Sequence, residues 1–158
     1  MSKKSKMMDR TIIFLLEKEI FLGFFCIRKL MESNKVSTKL QKEKIELAVY
    51  PAGRKPITLL NQDEFSELYD LYGGNTEMIS YWDICNQFIH SSIFSPFIST
   101  DQSLVGIYMA SDWAKKKKLY YITLIQILKI LRTVGNNYPW ELEMKYDKKK
   151  KDYIFRPS

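Results

Sequence analysis

From Asp9 to about Asn34, apolar side chains return every three or four positions, at Ile13, Leu16, Ile20, Phe24, Ile27 and Met31. That is the repeat of an α-helix with a wide buried face, and it predicts one long helix ended by the polar stretch NKVSTKLQKEK. The pattern then changes. IELAVYPAGRKPITLLN alternates apolar and polar positions around Pro51, Ala52, Gly53 and Pro56, which predicts two strands joined by a turn. Asn61 is placed to cap a helix over QDEFSELYDLY, which has acids at its positive dipole end and stops at Gly73-Gly74. A further short helix starts near Ser80 and contains DICNQFIHS.

In SIFSPFISTDQSLVGIYMAS, two β-favouring runs flank STDQS and predict a hairpin, with Pro96 assigning its first strand to a sheet edge. LYYITLIQILKILRTVG returns to a helical stripe and stops at Gly135, and WELEMKYDKKKKDYIFRP predicts a last hairpin turning at its lysine block. The resulting order, α-ββ-α-α-ββ-α-ββ, is an α+β fold in which a long N-terminal helix and further helices pack on a mainly antiparallel sheet. A length of 158 residues predicts one domain spanning 1–158, with residues 1–8 flexible.

Composition agrees with that picture: 46% hydrophobic and 14% aromatic residues can fill one core and exclude wholesale disorder. The apolar stretch TIIFLLEKEIFLGFFCI is interrupted by Glu17, Lys18 and Glu19, well short of the roughly 18 unbroken apolar residues of a membrane span, so no membrane association is expected. Cys26 and Cys85 are far apart, lack C-x-x-C spacing and read as reduced core thiols of a cytoplasmic protein.

Charge adds a segregation that the net value of +7 conceals. Residues 1–55 carry 13 Lys and Arg against 6 acids, residues 56–114 carry none against 8, and residues 115–158 carry 12 against 4. The acidic middle must therefore meet the basic flanks within the fold or offer a basic partner an acidic face, and internal neutralisation is the simpler of the two. Two tetralysine runs, Lys115, Lys116, Lys117, Lys118 and Lys148, Lys149, Lys150, Lys151, fall where turns are expected. Such runs bind phosphate backbones without sequence preference, or mark loop tips that keep strands from aggregating.

Familiar catalytic patterns are missing. With one histidine and neither H-x-x-H nor a cysteine cluster, a transition-metal centre has no ligands, and no phosphate-binding glycine loop or G-x-S-x-G elbow occurs. No cofactor or metal is expected. What remains is His90, one helical turn after Asn86 and on the same face. An imidazole titrating near neutrality is the natural base for metal-independent RNA cleavage, which also needs a cation for the developing phosphorane charge.

The run CNQFIH resembles the R-N-x-x-x-H signature of the HEPN superfamily, with Asn86 and His90 at the matching positions and Cys85 at that of the arginine. The resemblance implies a helical ribonuclease domain whose arginine and histidine form a composite site across a dimer. Arg28, on the long helix, is the basic residue in an apolar context that could supply the cation from elsewhere. The wider text, IRKLMESNK through CNQFIHS, resembles small bacterial proteins, a resemblance that implies no activity. The opposite expectation for His90 is a partly buried imidazole bonded to Asn86, a backbone carbonyl or Tyr81, fixing a helix-to-strand corner. Taken together, a non-catalytic binding, interaction or regulatory domain, partnered by a protein or a second copy, is the leading expectation. A HEPN-like ribonuclease using His90, Asn86 and Arg28 is the alternative, and unspecific nucleic-acid binding through the lysine runs the second.

Overall fold

The computed structural model describes residues 10–139 and 142–157. The segment expected to be flexible, 1–8, lies outside the described residues, as does Trp140. Helix α1 (Arg10–Glu32) follows the apolar repeat, burying Ile20, Phe24, Ile27 and Met31. Asn34 ends it at a left-handed φ of 52°, while Lys35 N–H donates to Leu30 O at 2.8 Å and Asn34 N–H to Met31 O at 3.2 Å. These two bonds satisfy carbonyls that the last helical turn leaves open. A short α2 (Thr38–Gln41) leads into strand β1 (Lys44–Pro51).

After β1 the chain makes a loop, a 3-10 turn at Gln62–Glu64 and a one-turn α3 (Phe65–Leu68). It continues through β2 (Asn75–Ser80), α4 (Tyr81–Ile89), β3 (Ser91–Ile98), β4 (Leu104–Ser111), β5 (Lys118–Thr123) and α5 (Leu124–Gly135). A terminal hairpin, β6 (Leu142–Asp147) and β7 (Asp152–Pro157), forms a separate two-stranded sheet. The main sheet has the order β2-β1-β5-β4-β3, and every pairing in it is antiparallel. The fold is α+β, with β3 and its Pro96 at an edge.

Cross-strand register aligns Val49, Tyr120 and Met109, and Met109 with Phe94, on one face. Phe94 meets Phe21 of α1 at 5.3 Å and Phe88 of α4 at 6.4 Å between ring centroids, so the helices cover that face. Gly23 lets α5 approach α1 closely: a Cβ there would stand 3.1 Å from Leu131 Cδ2 of α5. On the opposite face Tyr108 and Tyr121 pack at 4.7 Å, and Phe65 of α3 reaches over Tyr108 at 5.0 Å.

Three expected elements differ. The run after Pro51 forms no second strand; β1 instead pairs with the distant β2 and β5. Asn61 does not cap a helix, because its Oδ1 accepts from Thr58 N–H at 2.8 Å and its Nδ2 donates to Pro56 O at 2.9 Å, closing the loop on itself. Helix α3 stops at Leu68, since Tyr69 turns extended, bridges Ala52 and donates its hydroxyl to Lys115 O at 2.6 Å. LYYIT is strand rather than helix. The boundary is Thr123, whose Oγ1 accepts from Gln126 N–H at 3.2 Å while Gln126 Oε1 accepts from Thr123 N–H at 2.9 Å, a reciprocal cap. Cys85 is buried as expected, but Cys26 lies on the exposed side of α1.

The acidic middle meets the basic flanks. Lys55 pairs with Glu67 at 3.2 Å and Glu64 at 3.8 Å, Lys118 with Glu77 at 2.5 Å, and Lys115 with Asp112 at 2.7 Å.

Candidate functional site

Helix α4 begins at Ser80, whose Oγ accepts from Asp83 N–H at 3.1 Å. Tyr81, Ile84, Cys85 and Phe88 recur at helical spacing and are buried, which turns Trp82, Asn86 and His90 toward the surface. Phe88 stacks on Phe24 with centroids 4.2 Å apart, and this contact sets α1 against α4. Arg28 is thereby brought to Asn86. Its guanidinium lies 3.3 Å from the centre of the Trp82 ring, donates from Nη1 to Asn86 Oδ1, and pairs through Nε with Glu32 at 3.0 Å. Seated over an aromatic ring and bonded to both Asn86 and Glu32, Arg28 is a fixed charge rather than a mobile one.

His90 caps α4 with its main chain: its N–H donates to Asn86 O at 3.1 Å, and its carbonyl accepts from Asp112 N–H at 3.1 Å. The corner between helix and strand is therefore held by backbone groups and not by a partly buried imidazole. The ring itself is exposed and has no hydrogen bond among the described residues. It lines an open pocket of about 310 Å³ with Asp83, Asn86, Gln87, Ser111 and Trp113. Gln87 Oε1 accepts from Ser111 N–H at 3.0 Å and fixes the floor. Trp113 stands 88% exposed at the rim.

Beside the pocket, Lys115 Nζ donates to Asp112 Oδ1 at 2.7 Å and Ser92 Oγ at 3.1 Å, and the Ser92 hydroxyl donates to Asp112. The Lys115 hydrogen bond, followed by that from Ser92, holds the Asp112 carboxyl below the usual range. Position 85, where the HEPN signature has its arginine, faces the core. Burial there pushes the Cys85 thiol up to about 12, against an opposing pull from the Arg28 charge. Cys85 is thus a protonated core thiol at neutral pH.

The lysine runs divide. Lys115 and Lys118 are held in ion pairs, and only Lys116 and Lys117 of the first run are exposed. All four lysines of the second run are exposed at the tip of the β6–β7 turn. Sequence reasoning passed over two further surfaces. One is an apolar stripe on α1 that includes Phe14, Leu22 and Phe25; the other is an aromatic face on the terminal hairpin. Both could have been found by asking which apolar positions the core repeat leaves over.

Among the described residues no group of three or more His, Cys, Asp or Glu side chains is placed to hold a metal ion, and no helix is long and apolar enough to cross a membrane. Compared with known proteins, the chain matches no family model, no curated protein and no solved structure.

The exposed imidazole yields a direct expectation. His90→Ala should change stability by no more than about 0.5 kcal/mol, the range of surface substitutions without a specific partner. Urea unfolding of the two proteins measures this, and a loss several times larger would restore an imidazole-based role at the corner.

Proposed function

We propose that the protein is a non-catalytic interaction domain that self-associates through the outer face of α1. One observation carries this reading: among the described residues, the side of α1 turned away from the core is apolar and uncovered. Phe14 is 63% exposed, Leu22 48% and Phe25 47%, and these residues line a groove of about 520 Å³ with Phe21 and Ile89. An uncovered apolar patch of this kind on a small domain marks a contact surface. The groove's charged residues, Glu17 and Lys18, have opposite signs and lie in the N-terminal half of the helix, about one turn before its midpoint. When two copies of a helix roughly 35 Å long pair antiparallel about a two-fold axis, Glu17 of one copy can approach Lys18 of the other. A second copy is therefore a self-complementary occupant.

Sedimentation velocity tests the reading on the parent, Leu22→Glu and Phe25→Glu. The parent should sediment as a dimer. Each variant should be a folded monomer, because two buried side chains are lost per dimer, worth about 3 kcal/mol or more and so about 100-fold in affinity. A parent that stays monomeric at its highest soluble concentration, or a dimer that survives both substitutions, would sink the proposal.

The contact between Arg28 and Asn86 favours a second reading, a HEPN-like ribonuclease independent of metal. In it His90, oriented by Asn86, removes the proton of a ribose 2′-hydroxyl whose oxygen attacks the adjacent phosphorus. Arg28 stabilises charge on the phosphorane, and the P–O5′ bond breaks as the 5′-oxygen takes a proton from the imidazolium, leaving a 2′,3′-cyclic phosphate. Incubation with a mixed RNA pool in EDTA decides it. Cleavage by the parent, lost in His90→Ala and Arg28→Ala, supports this reading; intact RNA rejects it.

A further inference from the structure

The β6–β7 hairpin is the least covered element of the described chain. It pairs with no strand of the main sheet. Its root is held where Thr38 Oγ1 donates to Pro157 O at 2.6 Å and Pro157 is buried. Register places Met144 opposite Phe155 and Tyr146 opposite Tyr153, so these four side chains share one face. All four are between 46% and 60% exposed, and the two tyrosine rings meet edge-on with centroids 5.2 Å apart. An isolated two-stranded ribbon with an apolar face in water is only marginally stable, so the arrangement calls for a partner.

The chemistry of that partner is set by the turn. Asp147 Oδ1 accepts from Lys149 N–H at 2.8 Å and Lys150 N–H at 3.3 Å, and Lys151 takes a left-handed φ of 53°. The turn is thus closed by main-chain N–H groups on the Asp147 carboxylate and uses none of the lysine side chains. Among the described residues none of the four ammonium groups belongs to an ion pair, unlike Lys115 and Lys118 of the first run. Four lysines outside any ion pair therefore stand just beyond the Asp147–Asp152 pair from two exposed tyrosine rings, and the Phe155 ring, with Met144 opposite, follows about 7 Å along the strands. Flat π-faces with hydroxyl tips suit unstacked bases, and clustered ammonium groups suit the phosphates that link them.

We infer that this hairpin is an arm that binds single-stranded nucleic acid, stacking bases on Tyr146, Tyr153 and Phe155 and holding phosphates at Lys148–Lys151. The inference is independent of self-association through α1, and Leu22→Glu should bind as the parent does.

Fluorescence anisotropy over a salt series tests it on the full chain, with labelled single-stranded RNA, single-stranded DNA and duplex of one sequence, each checked on a gel for integrity. Both single strands should bind more tightly than duplex; a preference for RNA or DNA identifies the source. Replacing Lys148, Lys149, Lys150 and Lys151 by Gln should lower the slope of log affinity against log salt by about 3, since each phosphate contact contributes roughly 0.7 on a single strand. The same four positions changed to Arg should keep the slope. Tyr146→Ala and Tyr153→Ala should each weaken binding about 10-fold without changing it. Failure of both single strands to bind, equal binding of duplex, an unaltered slope in the Gln variant or full affinity in the Ala variants would overturn the inference. Lysine-dependent capture by phosphatidylserine vesicles with no nucleic-acid binding would also overturn it and assign the arm to an anionic lipid surface.

Discussion

Phe88→Ala should destabilise the protein by about 3–5 kcal/mol, the range for removing a fully buried aromatic ring. Phe88 has no exposed surface, stacks on Phe24 at 4.2 Å and reaches Phe94 of β3 at 6.4 Å, so one ring joins α1, α4 and the sheet edge. The cavity would open where three elements meet, and none of them can close it without giving up contacts elsewhere. Against a typical domain stability of about 5–15 kcal/mol, the loss leaves a marginal fold and lowers the melting temperature by roughly 10 °C. Urea unfolding followed by circular dichroism measures it. Phe88→Leu, which keeps most of the volume, should lose clearly less; equal losses would mean that ring stacking rather than cavity volume dominates, and a loss below about 1 kcal/mol for Ala would show that this junction does not hold the helices.

The consequence for the surface follows from the same geometry. Arg28 is aligned with Trp82 and Asn86 by the packing of α1 on α4, so Phe88→Ala should also loosen that contact although it lies on the opposite side of α4. A loss of Trp82 fluorescence perturbation on unfolding would accompany the loss in stability.

Local sequence carried the elements whose determinants are local. The α1 repeat, the Ser80 cap, the β3–β4 hairpin with its edge proline and the lysine turn of the last hairpin were all legible, because each is specified within a few residues. Strands β2 and β5 were not. NTEMIS carries no strong alternation, and its pairing depends on β1, some thirty residues earlier, where Glu46 accepts from the Thr76 hydroxyl at 2.8 Å. LYYIT runs without a break into an apolar helix, and only the Thr123–Gln126 cap separates the two. The apparent second strand after Pro51 failed for the converse reason: its pattern was suitable, but the neighbouring positions on β1 were already filled by distant partners.

For the candidate site, the sequence named Arg28, Asn86 and His90, and the fold brings the first two into contact. What it could not convey is orientation. A lone arginine in an apolar helix reads the same whether it is free or clamped between Glu32 and Trp82, and a lone histidine reads the same whether its ring or its backbone closes a corner. Tetralysine runs are equally ambiguous, since three-dimensional pairing leaves Lys115 and Lys118 neutralised while Lys148–Lys151 stay free.

Alkaline pH should unfold the protein through buried acids that carry no charge at neutrality, foremost Cys85 and Tyr69. Burial raises the Cys85 thiol from an ordinary 9.0 to about 12 and the Tyr69 phenol from 10.0 to about 12. Each holds its proton more tightly folded than unfolded, so the stability it contributes is complete below the unfolded value and is lost as pH rises toward the folded one. The window opens near pH 9 for Cys85 and near pH 10 for Tyr69. At about 1.4 kcal/mol per pH unit for each group, the combined loss reaches several kcal/mol by the top of the window, comparable with the stability of many domains. The bond that the Tyr69 hydroxyl donates to Lys115 O at 2.6 Å likewise exists only in its protonated form and acts in the same direction as burial. Urea midpoints taken from neutral pH upward should therefore fall increasingly steeply above pH 9. Cys85→Ala separates the contributions: less stable than the parent at neutral pH because of its small cavity, it should lose less with rising pH, so that the two curves converge. Parallel curves would mean that the Cys85 thiol ionises in the folded protein as readily as in water.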